Sequence, residues 1–539
     1  MTRRAIPHTR PTDPLRAGVR DASGLCYSPE LRPLPSGIRT ESIIVPSILR
    51  PCPVRRLAAA VCLGLGLLAA APAHADTSVA EVLQELNASD SVRASDEAKS
   101  WQLVFDAWLS ASEPPRPVGE AFNLSTIHPG MSGWSEVAGW AESNPAVADA
   151  IMAAADRTLF GLPYGENSVD ARYREAGISA NVAEGGDLRV VRFPWLDQMN
   201  GVVALATAEV YRRMEAGQVQ EGLDLAVATT FLLRQCCDRE FRDEQFYMIS
   251  MLSGHLENMR DIFHAYFDRI SSDQYAAIAR NELPYLRPDR GRLLMPEGDK
   301  VVARALIESV FDAGGQPDRE AFADTFGRIQ AQAEPLTLFG AARRWKIVAD
   351  VHDSLESSLE RLDLVYDDWW RRWRIEEYDP ILNIPSQWSR TNEIRYAAVL
   401  YSIGDVQELF PVRDYLVAAT NGTIMAAGVC AHHKRFGDYA RNQENLYALS
   451  VRAIHDRDPY DREFGQFGYR VLASSTPVDT SFGRVEVPRG TAILWSLGPD
   501  REDGRGVRHS AVAEAADDEA DIVFWPPIKA LQREQGLRD

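Results

Sequence analysis

Cysteine is scarce in this sequence, with six residues among 539. Three of them precede residue 76, and the other three are Cys236, Cys237 and Cys430. An odd number of cysteines does not make a disulfide framework, and no Cys-x-x-Cys pair that would hold zinc is present. Cys236 and Cys237 lie in an apolar run with helical spacing. We therefore expect buried free thiols.

Local signatures of common catalytic sites are also absent. The sequence has no Gly-x-Ser-x-Gly, Walker A, His-Glu-x-x-His, Ser-x-x-Lys or Gly-x-Gly-x-x-Gly motif. A catalytic triad needs no local motif, so this disfavours an enzyme without excluding one. The formal net charge of −19 argues against a nucleic-acid partner, because binding phosphate requires a basic surface.

No run of 18 apolar residues occurs, so we expect no stable membrane span in the mature chain. A shorter apolar run, residues 57–71, follows Arg55 and Arg56 and precedes an Ala-His-Ala sequence that ends at Ala75. A basic start, an apolar stretch and a small-x-small end are typical of a signal peptide. We predict a signal peptide over residues 54–75 and an exported chain, periplasmic or extracellular. Residues 1–53 are expected to be a disordered extension or to precede the true start.

The rest of the chain is predicted to be mainly α-helical, because apolar residues recur with helical spacing along most of it. We expect an N-terminal helical and irregular region over residues 76–193. A main body of antiparallel or solenoid-like helical hairpins follows over residues 194–410. A small α+β module with a short antiparallel sheet covers residues 411–526, and a tail covers residues 527–539.

Helical spacing also guides the interpretation of polar clusters. Glu257, Asp261 and His264 share one face of a predicted helix, and we interpret that face as solvated rather than metal-binding.

One long helix is predicted over residues 337–378. Near its end, an aromatic stripe is expected to pack inward. The stripe consists of Tyr366, Trp369 or Trp370, and Trp373.

After residue 456 the hydrophobic pattern changes to that of strands. The predicted strands cover residues 467–472, 484–487 and 492–495, and a final apolar run covers residues 522–525. An acidic, glycine-containing turn follows the third strand, and further acidic residues precede the final apolar run. Such clustered carboxylates suit calcium, which takes six to eight oxygen ligands, although a solvated acidic loop has the same composition.

The order of motifs in this segment resembles the globular part of the major pseudopilins of type II secretion. The motifs are Asp458-Pro459-Tyr460, Gly468-Tyr469, residues 494–500 and Ala520-Asp521-Ile522. The resemblance covers residues 411–526, and similar tails end large exported helical bacterial proteins of uncharacterised role. It implies a calcium site formed by Asp500, Asp521 and Ser496 or its neighbouring carbonyls. Local chemistry alone adds Asp503.

Two classes of function follow from the sequence. The first is an exported, non-catalytic binding or scaffold protein of the cell envelope, with an envelope protein or a peptide as partner and a calcium-stabilised tail. The second is an exported hydrolase whose site is built around residues 160–193. Its candidate residues are Tyr164, Glu184, Asp187 and His128. We favour the first class.

Overall fold

The computed structural model describes residues 73–115, 127–280, 293–333, 338–375, 380–449, 451–452, 456–461, 463, 465–510 and 520–538. The predicted extension and nearly all of the predicted signal peptide lie outside these residues. Among the helices of the described residues, none is both long and apolar enough to cross a bilayer.

The N-terminal region contains short helices and one small strand pair around an irregular segment. Its helices are α1 (Ala73–Asn87), α2 (Trp101–Leu109), α3 (Trp134–Ser143), α4 (Pro145–Ala154) and α5 (Ala171–Glu175). Its antiparallel strands are β1 (Asn181–Val182) and β2 (Val191–Arg192). Although residues 160–193 are largely irregular, many of their apolar side chains belong to the main hydrophobic core.

The main body is helical, as predicted. Apolar spacing predicts three long successive helices over residues 195–216, 218–238 and 242–270, and the structure has three there, the last of which ends five residues earlier. The helices are α6 (Trp195–Glu215), α7 (Val219–Cys236), α8 (Arg242–Ala265), α9 (Ser272–Arg280), α10 (Gly298–Glu308), α11 (Arg319–Ala333), α12 (Leu338–Ala349), α13 (Leu355–Trp373), α14 (Gln387–Arg390) and α15 (Ala397–Ser402). Helix α7 packs against both α6 and α8. The body is therefore built from helical hairpins around one core.

One long helix over residues 337–378 is a wrong prediction, because a turn separates α12 from α13. The Ser354 hydroxyl accepts a hydrogen bond from the Ser357 N–H and so caps the start of α13. His352 is held in the same turn, where its Nε2 accepts from the Ala398 N–H at 3.1 Å. The aromatic stripe is confirmed, because Tyr366, Trp369 and Trp373 are all buried.

A 28-residue helix, α16 (Leu409–Phe436), joins the helical body to the C-terminal module. Every residue from 418 to 431 is buried, and the helix packs against α8 and α9. Two of its buried polar groups are satisfied locally, since the Thr420 and Thr423 hydroxyls donate to backbone carbonyls one turn earlier. A Cβ on Gly422 would lie 2.3 Å from the Phe524 ring. Small residues therefore permit close packing on this helix.

The C-terminal module contains a three-stranded antiparallel sheet and a separate hairpin. Its elements are α17 (Glu444–Tyr447), β3 (Gly468–Val471), β4 (Thr476–Thr480), β5 (Gly483–Val487), β6 (Ala492–Ser496), β7 (Ile522–Trp525) and α18 (Ile528–Glu534). The sheet order is β3–β6–β7, and β4 pairs with β5. Both β6 and β7 pack on α16. The short antiparallel sheet is thus confirmed.

Two features of this module were not predicted. Strand β4 contains Pro477, a residue that interrupts the usual strand pattern, and it is paired with Glu486 in the hairpin. The predicted tail contains helix α18, which packs against α8 and against β5 and β7. The last part of the chain therefore contacts both the helical body and the sheet.

Candidate binding cleft and acidic loop

A fully buried ion pair lies between the irregular N-terminal segment and the start of α8. Arg239 and Glu244 have no exposed side-chain surface, and the Arg239 Nε donates to Glu244 Oε1 at 3.1 Å. The Tyr164 hydroxyl donates to Glu244 Oε2, and the Trp195 indole N–H donates to Oε1, both at 2.8 Å. Both oxygens of the buried carboxylate therefore have donors.

The arginine of this pair is held on its other side by the irregular segment. Its Nη1 donates to the Leu162 carbonyl at 2.7 Å, and its guanidinium lies 4.2 Å from the centre of the Tyr164 ring. Burial, partly offset by the Arg239 charge, raises the pKa of the Tyr164 hydroxyl well above its usual value. Tyr164 is consequently a neutral hydrogen-bond donor at physiological pH.

An open cleft of about 480 Å³ lies beside this pair. It is formed by β2 and by the N-terminal ends of α6, α8 and α10, whose first turns meet there. The lining residues are Val191, Arg192, Phe193, Pro194, Leu196, Asp197, Phe241, Asp243 and Asp299. The rings of Phe193 and Phe241 lie 5.2 Å apart and form an apolar wall. The exposed side chains of Arg192, Asp197 and Asp243 lie at the rim.

The cleft carries more acidic than basic side chains. Asp299 is half-buried, and its Oδ2 accepts from the Arg242 N–H at 3.0 Å. Burial raises the pKa of its carboxyl to about 6, and the negative charge of Asp243 adds to the shift. Arg192 is paired with Glu184 at 3.6 Å, and Arg242 is paired with both Asp243 and Glu408.

The four candidate residues of the hydrolase interpretation have separate partners. Tyr164 is enclosed with Glu244, and Glu184 pairs with Arg192 at the cleft rim. Asp187 pairs with Arg189 at 2.7 Å. His128 lies within electrostatic range of Arg533 and Lys529, and burial lowers its pKa to about 4. The structure therefore does not bring these four side chains into one catalytic group.

Three of the predicted calcium ligands interact in the C-terminal acidic loop. The Asp521 carboxylate accepts from the Gly504 N–H at 3.1 Å and from the Gly506 N–H at 2.6 Å. Burial, together with the charges of Asp503 and Asp500, raises its pKa to about 7, although the two backbone hydrogen bonds oppose the shift. Asp503 itself accepts a hydrogen bond from the Trp495 indole N–H at 3.0 Å.

The fourth predicted ligand has a different partner. The Ser496 hydroxyl donates to Asp458 Oδ1 at 2.7 Å, and the other oxygen of Asp458 accepts from the Leu497 N–H. Ser496 thus fixes the turn that contains Asp458. Across the described part of the chain, no three His, Cys, Asp or Glu side chains are grouped in a way that could hold a metal ion.

A buried charge cluster joins α8 to α18 and was missed by sequence reasoning. Asp261 is buried and binds Arg533 at 2.8 Å, and Lys529 donates to the Asn258 side chain at 3.0 Å. Burial would raise the pKa of Glu257, but the charges of Lys529 and Arg260 outweigh it and lower that pKa. The prediction of a solvated face is wrong for Asp261, because α18 covers it.

The remaining sequence candidates have structural roles. Cys236, Cys237 and Cys430 are buried free thiols, as predicted. Burial raises the pKa of all three, which keeps them protonated and unreactive.

Comparison with protein-family models, with curated proteins and with solved structures found no match to this chain. The pseudopilin resemblance of residues 411–526 therefore stays a prediction from the motifs.

Removing one member of the buried ion pair should be strongly destabilising. Arg239→Met leaves the Glu244 carboxylate buried without its counter-charge, so we expect a loss of about 3–5 kcal/mol in the free energy of unfolding. Adding Glu244→Gln removes that charge and keeps an acceptor for Trp195, so the double variant should be more stable than Arg239→Met alone. Denaturant unfolding measures both effects.

The matched control is Arg484→Met, which breaks an exposed pair with Asp479. An exposed ion pair contributes at most about 1 kcal/mol. Equal losses for Arg239→Met and Arg484→Met would contradict the central role of the buried pair.

Proposed function

We propose that this chain is an exported, non-catalytic binding or scaffold protein of the cell envelope, whose ligand occupies the cleft between β2 and the starts of α6, α8 and α10. The observation that carries the proposal is the cleft itself. Its volume of about 480 Å³ is within the usual range of ligand sites, and an apolar wall beside a few polar groups is their usual lining.

The surroundings of the cleft favour binding over catalysis. Its lining consists of apolar side chains, three aspartates and one arginine. Asp299 is a lining carboxyl with a raised pKa, but among the described residues no serine, cysteine, histidine or lysine lines the cleft with it to act as a nucleophile or second proton carrier. Tyr164 and Glu244 are enclosed in the buried network. A rigid support of this kind preorganises the walls of a binding site, which reduces the entropy lost when a ligand is bound.

The C-terminal module has a structural role in this proposal, with calcium as a stabilising ion. The described residues hold no ready group of three metal-binding side chains, so Asp521, Asp500 and Asp503 would have to draw together around the ion, with backbone carbonyls as the remaining ligands. The observation that fits a cation is the pKa of Asp521, raised to about 7 by burial and by the two other aspartates. A bound cation would offset this mutual repulsion and hold the loop against β6 and β7.

Three basic residues of the loop lie near acidic side chains outside it. Arg501 lies within electrostatic range of Asp414 on α16, and Arg508 lies within range of Asp479 on β4. His509 faces Glu257, and burial lowers its pKa to about 4, so it is uncharged at neutral pH.

A photo-crosslinking residue at position 192 tests export and binding together. In the cells that make the protein, Arg192→p-benzoylphenylalanine should give an adduct on chains that begin after Ala75 and are found outside the cytoplasm. Val191→Trp in the same chain fills the cleft and should abolish the adduct. The control position is Asp149, which is exposed on α4.

Two outcomes would overturn this proposal. One is an adduct that survives Val191→Trp or forms equally at position 149. The other is a chain that stays in the cytoplasm with residues 54–75 attached.

The acidic loop should make stability depend on calcium and pH. The folded-state pKa of Asp521 is raised, so the folded chain keeps a proton that the unfolded chain loses. In chelator, stability should therefore fall as the pH rises from about 4 through about 7. Calcium should reverse this loss, by about 2.7 kcal/mol at a hundredfold excess over its Kd.

The measurement is the melting temperature of the full chain at pH 5.5 and 8, in calcium and in chelator. Asp521→Asn should abolish both the calcium response and the part of the pH dependence described above, whereas Asp149→Asn should leave both unchanged. Identical melting curves in calcium and chelator would sink the calcium assignment.

A further inference from the structure

We propose that the cleft recognises a cationic side chain, arginine or lysine, presented by an extended peptide segment. This inference rests on the proposed binding function and adds the chemical class of the ligand. It is argued from the charge at the rim, from the aromatic wall and from the size of the cavity.

The first argument is the charge of the cleft. Asp197, Asp243 and Asp299 each carry a full negative charge when ionised, and they stand in the first turns of three helices. A helix N-terminus supplies only about half a positive charge. Arg192 is paired with Glu184, and Arg242 is paired with both Glu408 and Asp243. Among the described residues, Asp197 and Asp299 form no ion pair. Negative charge therefore remains in excess, which favours a cation over an anion.

The second argument is that carboxylate oxygens in the cleft lining are available as hydrogen-bond acceptors. The Arg242 N–H engages only Oδ2 of Asp299. Within the described residues, no hydrogen bond engages its Oδ1, nor the exposed carboxylate of Asp197. These groups lie on different helices that meet at the cleft. A guanidinium carries five donors in a planar fork and an ammonium carries three, so either can engage more than one carboxylate.

The third argument is the aromatic wall. Phe193 and Phe241 form a ring pair at one side of the cleft, and a cation is attracted to the face of such rings. The aliphatic stem of lysine or arginine would pack on Val191 and Leu196, which also line the cavity. Long basic side chains bury their stems on apolar surface while the charged end finds polar partners.

The size of the cleft distinguishes this ligand from a metal ion. A cavity of about 480 Å³ accommodates a long side chain with its flanking backbone, whereas a divalent cation needs a closely spaced cage of oxygens. No such group of three metal-binding side chains is present among the residues that the structure describes. An organic cation therefore matches the site better than an inorganic one.

Calorimetric titration of the full chain tests the inference. The probe is acetyl-Ala-Leu-Arg-Leu-Ala-amide, and its matched control carries citrulline, which keeps the shape of arginine but has no charge. We expect the arginine peptide to bind about fivefold more tightly, the effect of about 1 kcal/mol from one partly exposed ion pair. The peptide with lysine in place of arginine should also bind more tightly than the citrulline control.

Two pairs of variants locate the effect. Asp197→Asn with Asp243→Asn removes exposed rim charges and should weaken binding of the arginine peptide about fivefold. Glu136→Gln with Asp149→Asn removes two exposed charges from α3 and α4 and should change it less than twofold. Circular dichroism of each variant checks that the fold is kept.

The inference is overturned if the citrulline peptide binds as tightly as the arginine peptide, if neither peptide binds at millimolar concentration, or if the rim variant binds like the control variant. These results are separable from failure of the proposed function. A rim adduct that is lost in Val191→Trp, together with no preference for the arginine peptide, would mean that the cleft binds a ligand of different chemistry. If no adduct forms at position 192 and the arginine peptide is not preferred, the binding function itself is refuted.

Discussion

The buried pair of Arg239 and Glu244 is the constraint on which the architecture around the cleft depends. Removing two charges from water costs several kcal/mol per ion, and only close pairing with further hydrogen bonds offsets that cost. The required donors and acceptors come from separate parts of the chain, Tyr164 and Leu162 in the irregular segment and Trp195 at the start of α6. Satisfying one ion pair therefore fixes several backbone segments relative to α8.

Much of the helical body could be predicted from the sequence, because the information is local. Helices α6, α7 and α8 show apolar spacing and end at recognisable breaks. The turn between α12 and α13 was missed because its partners are distant: His352 accepts from the backbone of Ala398, and the Asp353 N–H donates to the Arg395 carbonyl. Strand β4 was missed because Pro477 disguises a hairpin that is specified by pairing with β5.

The candidate cleft could not be predicted in the same way. The sequence indicates that helices begin near Asp197, Asp243 and Asp299, but acidic residues are common in first turns because they offset the helix dipole. Only the tertiary fold brings the three helix starts together. The burial of Asp261 is a similar case, since its partner Arg533 lies 272 residues away. Spacing along one helix cannot reveal which face a distant segment will cover.

Hydrogen–deuterium exchange of the full chain, with and without saturating acetyl-Ala-Leu-Arg-Leu-Ala-amide, tests the central claim most directly. That claim is that the cleft, supported by the buried ion pair, is the binding site. The account predicts slower exchange confined to residues 191–199, 241–247 and 298–302, which form the cleft walls. Unchanged exchange in these segments, or slowing confined to the C-terminal sheet at residues 468–525, would contradict it.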